Sequence, residues 1–110
     1  MPINPLTARS VLFHGFSDQS RLAIIEALRA GERRATDLAR DARLSQPNAS
    51  AHLACLRKCG LVTSERRGRE VHYRLVEGVD ELLALADRLV AQAGGAIEAC
   101  SRYGRRRRAA

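Results

Sequence analysis

A mainly helical domain carrying one β-hairpin is the fold this sequence predicts, and three observations predict it. Up to Gly60, apolar side chains recur at helical spacing between capping residues and glycines. From Leu61 to Val76 the period shortens to two, and from Val79 to Ala93 the helical period returns. The order is helix, helix, short helix, turn, helix, hairpin, helix, which is that of a winged helix-turn-helix with flanking helices. With 110 residues, one such domain over 1–100 is expected, followed by a basic tail at 101–110 that is expected to be disordered.

The first helix is "LTARSVLFHGF", which Gly15 can end. The second, "SDQSRLAIIEALRAG", has Ser17 or Asp18 as N-cap, Leu22, Ile25 and Leu28 on its inner face, and a stop at Gly31. "ATDLARDARL" predicts a short helix capped by Thr36, with Leu38, Ala39 and Ala42 inward. After a tight "ARL" turn, Ser45 caps a fourth helix whose first turn holds Gln46 and Pro47, where proline is tolerated. Ala49, Leu53 and Leu56 face its interior, and it ends before Gly60.

"LVTSER" and "EVHYRLV" then alternate, with Val71, Tyr73 and Leu75 on one face and His72 and Arg74 on the other. The tip of this hairpin is basic: Arg66, Arg67 and Arg69 surround Gly68. In the last helix Val79, Leu82, Leu83, Ala86, Leu89 and Val90 form one stripe, and Leu85 falls outside it. An apolar face this wide predicts a homodimer that buries Leu82, Leu85 and Leu89 between subunits.

The formal net charge of +7 is unevenly placed. Residues 1–32 are neutral, residues 33–74 hold ten basic and four acidic groups, residues 75–99 hold one basic and five acidic, and residues 100–110 hold five arginines. A basic centre beside an acidic helix suits a surface that meets a polyanion and a separate surface for another purpose. The fourth helix offers Gln46, Asn48, Ser50 and His52 near its start; Gln and Asn can pair bidentately with adenine in the major groove. Arg66, Arg67 and Arg69 are then expected to meet phosphate or the minor groove.

"FSDQSRLAIIEAL", "LSQPNASAHLACLRKCGLV" and "GREVHYRL" resemble the successive signatures of the ArsR/SmtB family of winged-helix repressors. The resemblance runs from about Leu12 to Leu75 and more weakly through the last helix. It implies a dimer that binds inverted-repeat operator DNA and is released by a metal ion or another inducer.

The chain has three cysteines, Cys55, Cys59 and Cys100. Residues at i and i+4 have Cβ atoms roughly 5–6 Å apart. A disulfide needs about 3.5–4.5 Å, so closing one between Cys55 and Cys59 would distort the helix. A soft ion can bridge the gap. Three thiolates favour a large thiophilic ion, Cd²⁺ or Pb²⁺, with Hg²⁺ and As(III) as further candidates; structural Zn²⁺ usually takes four ligands. Arg57 and Lys58 favour the thiolates, while the helix C-terminus opposes them. The string "HLACLRKCGLV" and the third cysteine beyond the last helix resemble a cadmium- and lead-sensing branch of the family, in which the third thiolate comes from the other subunit. The alternatives are a thiol-oxidation switch and a constitutive DNA-binding protein whose cysteines merely pack, since cysteine is a small, readily buried hydrophobe.

His14 and His72 are expected to be surface residues, and the arginines of the tail can add phosphate contacts. No Cys-x2-Cys beside a βαβ unit, phosphate-binding glycine loop or Ser/His/Asp set is present, so no enzyme is expected. No run approaches the roughly 18 apolar residues of a membrane span, and "MPINPLTARS" lacks a secretion-signal pattern. A cytoplasmic location is the expectation, and three cysteines there do not make a disulfide framework.

Overall fold

The computed structural model describes residues 4–100; the expected tail at 101–110 lies outside them. The chain divides after Glu77 into two compact units. The first carries α1 (Pro5–Gly15), α2 (Gln19–Leu28), β1 (Arg33–Arg34), α3 (Ala35–Asp41), α4 (Gln46–Lys58), β2 (Val62–Arg67) and β3 (Glu70–Leu75), and the second carries α5 (Val79–Ala93).

Short polar side chains start the helices by satisfying N–H groups that the first turn leaves without partners. The Asn4 Oδ1 accepts from the Thr7 N–H at 2.9 Å, the Asp18 Oδ2 from the Arg21 N–H at 2.9 Å, and the Ser45 Oγ from the Asn48 N–H at 3.2 Å. The caps expected at Asp18 and Ser45 are therefore present. The cap expected at Thr36 is not: α3 begins at Ala35, with Arg34 at the N-cap. The cause is that Arg34 is still in strand conformation, and its N–H is taken by the Asp37 carboxylate at 3.4 Å.

Ile24, Ile25 and Leu28 of α2, Leu38 and Ala39 of α3, and Ala49, Leu53 and Leu56 of α4 are buried together with Leu61 and Val62. These side chains form the core where α2, α3, α4 and β2 pack on one another. Leu22 and Ala42, expected inward, are only half-buried, and Ile24 takes the inner place on α2. Between α3 and α4 the chain reverses through Arg43 at φ 58°, the one non-glycine residue with positive φ among the described residues. The Leu44 N–H closes this turn on the Ala39 carbonyl at 2.8 Å.

The hairpin is present, and it belongs to a sheet of three antiparallel strands in the order β1-β3-β2. Glu65 pairs with His72 and Arg67 with Glu70 across β2 and β3, leaving Gly68 and Arg69 as the loop. Gly68, at φ 65°, supplies the left-handed residue that a two-residue hairpin loop requires. Strand β1 was not expected from the sequence; Arg33 pairs with Tyr73 and Arg34 with His72. Five helices with this sheet make a winged helix-turn-helix, with α3 and α4 as the helix-turn-helix and β2–β3 as the wing.

On α5, Val79 and Leu83 are buried, Leu82 is half-buried, and Leu85, Leu89 and Val90 are exposed. Asp80 and Glu81 occupy its first turn, where negative charge suits the helix dipole. No helix among the described residues is long and apolar enough to cross a membrane.

Candidate nucleic-acid interface

The sequence sets the faces of α4 through its spacing. With Ala49, Leu53 and Leu56 buried, Gln46, Ser50 and Arg57 fall on one flank and Asn48, His52, Cys55 and Cys59 on the other. Gln46, Asn48 and Ser50 are exposed, on both flanks of the helix. His52 is half-buried and acts electrostatically on Asp18, the cap of α2. It is therefore less open than Gln46, Asn48 and Ser50, with which the sequence groups it. The two flanks meet different neighbours. Arg57 reaches the Ser64 hydroxyl of the wing at 3.4 Å. Cys59, with Lys58 and Leu61, lines a groove of about 320 Å³ whose other wall is Ala8, Val11, Leu12 and Gly15 of α1.

The pleat sends Val62, Ser64, Val71 and Tyr73 to the side of the sheet nearest α4, and Glu65, Arg67, Glu70 and His72 to the outer side. That outer face is an ionic lattice. One Arg67 Nη donates to Glu32 Oε2, and the other to Glu32 Oε1 at 3.0 Å and Glu65 Oε1 at 2.7 Å. Arg34 bonds the Glu70 carboxylate and lies 3.3 Å from Asp37. His72 stands between two carboxylates, its Nδ1 at 3.3 Å from Glu32 and its Nε2 at 3.4 Å from Glu70.

His72 is thus not simply solvated. Strand alternation turns it outward, and Glu32, which lies just before β1, brings a carboxylate beside it. Hydrogen bonds from Arg67 hold the Glu65 carboxyl below the usual carboxylate range, and those from Arg34 do the same for Glu70 and Asp37. Arg66 and Arg69 form no ion pair among the described residues; Arg66 only approaches the Gly68 carbonyl, at 3.5 Å.

Cys55 and Cys59 are both exposed, and Cys100 in the second unit is half-buried. Cys59 is the C-cap of α4, and its N–H donates to the Cys55 carbonyl at 3.0 Å. The two thiols therefore stand across the last hydrogen-bonded turn of the helix, and neither is part of the core. Among the described residues no group of three or more His, Cys, Asp or Glu is gathered that could hold a metal ion.

The family model of bacterial regulatory proteins of the arsR family matches residues 18–64, from the α2 cap into β2. A probable mercury resistance operon repressor from Streptomyces lividans is 35% identical over 97 residues, covering 87% of this chain and 76% of that protein. This chain belongs to the arsR family. The family is one of regulatory proteins, and the chain is not an enzyme. The HTH-type transcriptional regulator CmtR of Mycobacterium bovis is 38% identical over 71 residues, 64% of this chain and 60% of that protein. The solution structure of a homodimeric winged helix-turn-helix DNA-binding domain from Mycobacterium bovis is 30% identical, with a TM-score of 0.72 over 83% of this chain and 84% of that one. The family model spans α2 to β2, and none of these likenesses by itself assigns a role to a cysteine.

Proposed function

We propose that this arsR-family protein is a transcriptional repressor that binds inverted-repeat operator DNA as a homodimer and leaves it when a thiophilic metal ion is captured by its cysteines. Gln46, Asn48 and Ser50 read base edges, with His52 at the margin of that set, and the wing supplies phosphate contacts. The ion is Cd²⁺ or Pb²⁺, with Hg²⁺, As(III) and Zn²⁺ as the other ions to be tried. Cys55 and Cys59 hold it, and Cys100 completes the set from the other subunit, as the resemblance to a cadmium- and lead-sensing branch implies.

One observation carries this reading: Cys55 and Cys59 are exposed, one turn apart, on the flank of α4 that also bears Asn48 and His52. Packing cysteines are usually buried, so this exposure favours sensing thiols over inert ones. The spacing that opposes a disulfide accommodates two metal–sulfur bonds. An ion fixed there pulls on the helix that reads DNA, and a tie to Cys100 resets the spacing of the two reading helices.

The experiment uses a duplex selected by the protein from a random pool. Adding the inducing ion is expected to weaken binding by about 5–150-fold, the usual range of allosteric coupling. Cys55→Ser and Cys59→Ser should bind the duplex as the parent does and stay bound when the ion is added. Cys100→Ser should retain thiolate-to-metal charge-transfer absorption with most of the release lost. Release by all three variants at the parent's ion concentration would show that the cysteines do not sense metal.

A further inference from the structure

The wing carries three arginines at its tip, and the structure treats them differently. Arg67 lies on the outer face, where both of its Nη groups are bonded to carboxylates: Glu32, just before β1, and Glu65, on its own strand. A guanidinium held this way has its charge cancelled, and a phosphate would have to displace two charge-assisted bonds to reach it. Arg66 belongs to the opposite face, the side on which Arg57 of α4 reaches Ser64. Arg69 sits in the loop itself, and neither Arg66 nor Arg69 has a carboxylate partner among the described residues.

Glu32 lies 35 residues before Arg67 in sequence, so this bond ties the wing to the end of the α2–β1 connection. The Arg34–Glu70 bond makes a second tie of the same kind, across 36 residues. Both ties run between the hairpin and the segment that leads into the helix-turn-helix. Single exposed ion pairs contribute little, but two linked through His72 form a network that fixes a direction. A hairpin tip can swing about its base; these ties oppose that swing.

We propose that Arg67 is a positioning residue, locked to Glu32 so that the wing stands at the angle DNA requires, and that phosphate contact falls to Arg66 and Arg69. This inference rests on the DNA-binding reading above.

The test measures binding to a labelled random-sequence duplex between about 50 and 200 mM salt. Arg66→Gln and Arg69→Gln should each lower the slope of log affinity against log salt by about 0.9 per phosphate released, or about twice that for a homodimer. The double variant Glu32→Gln/Arg67→Gln removes the tie without changing net charge. It should weaken binding by about 2- to 5-fold per wing, the worth of an exposed pair, with the slope unchanged. Arg67→Lys, which can still pair with Glu32 and Glu65, should keep most of the parent's affinity, and a cooperative melt of the double variant excludes a mere loss of folding.

If the uncharged double variant loses slope as Arg66→Gln does, Arg67 touches phosphate and the inference is overturned. Unchanged affinity in that variant overturns it as well. A parent protein that shows no salt-dependent binding to any duplex would instead remove the DNA-binding reading, and this inference with it.

Discussion

Asp18 does two things with one carboxylate. It caps α2 through the Arg21 N–H, and it lies within electrostatic reach of His52 on α4. Its carboxyl is held below the usual carboxylate range chiefly by that backbone bond, against the opposing effect of burial. Folding therefore favours the ionised form. The associated stability is complete above the unfolded value, near pH 4, and is lost as pH falls through the lower folded value. Asp18→Asn keeps an acceptor oxygen but cannot ionise, so its urea midpoint should fall less than the parent's between about pH 5 and about pH 3. Asp18→Ala should cost about 1 kcal/mol at neutral pH, the usual worth of an N-cap. Equal acid sensitivity of the parent and Asp18→Asn would show that the cap carboxylate does not set the acid limit.

At the scale of elements, the α3–α4 turn holds a residue that its backbone does not favour. Arg43 adopts φ 58°, a left-handed conformation that costs a side-chain-bearing residue about 1–2 kcal/mol. Glycine relieves that cost while adding freedom to the unfolded chain, so Arg43→Gly should stabilise the protein by up to about 1 kcal/mol in thermal unfolding. A lower melting temperature would mean that the Arg43 side chain stabilises the turn by more than its conformation costs.

Nothing in the sequence marked this residue, because an "ARL" turn without glycine or asparagine carries no signal for positive φ. The helices were legible for the opposite reason. Asp18 and Ser45 announce their helices through local chemistry, and Ala49, Leu53 and Leu56 mark a buried face by spacing alone. Strand β1 was illegible because two arginines become a strand only through pairing with residues some 40 positions away. The outer face of the wing was half-legible: alternation turned His72 and Arg74 to one side, but Glu32 and Arg34 reach that side only through the tertiary fold. In the candidate site, the exposure of Gln46, Asn48 and Ser50 followed from the helical period, whereas the place of His52 depended on where α2 begins.

For the whole molecule, the apolar surface left open matters most. Leu85, Leu89 and Val90 on α5 and Leu6, Val11 and Phe13 on α1 are all exposed. In the homodimer we propose, these faces are covered, and each buried leucine contributes about 1.5–3 kcal/mol. Replacing Leu82 and Leu89 together with glutamate should yield a monomer in sedimentation; a variant that still sediments as a dimer would place the interface elsewhere. The pairing of β1 with β3 has a different consequence. Arg34 and His72 are neighbours across the sheet, yet α3, α4 and β2 lie between them in the chain. The stretch we propose to meet DNA thus enters and leaves the fold through a single doorway. Its two ends are paired neighbours and its apolar side chains pack on α2, so the stretch and α2 must change together if either changes.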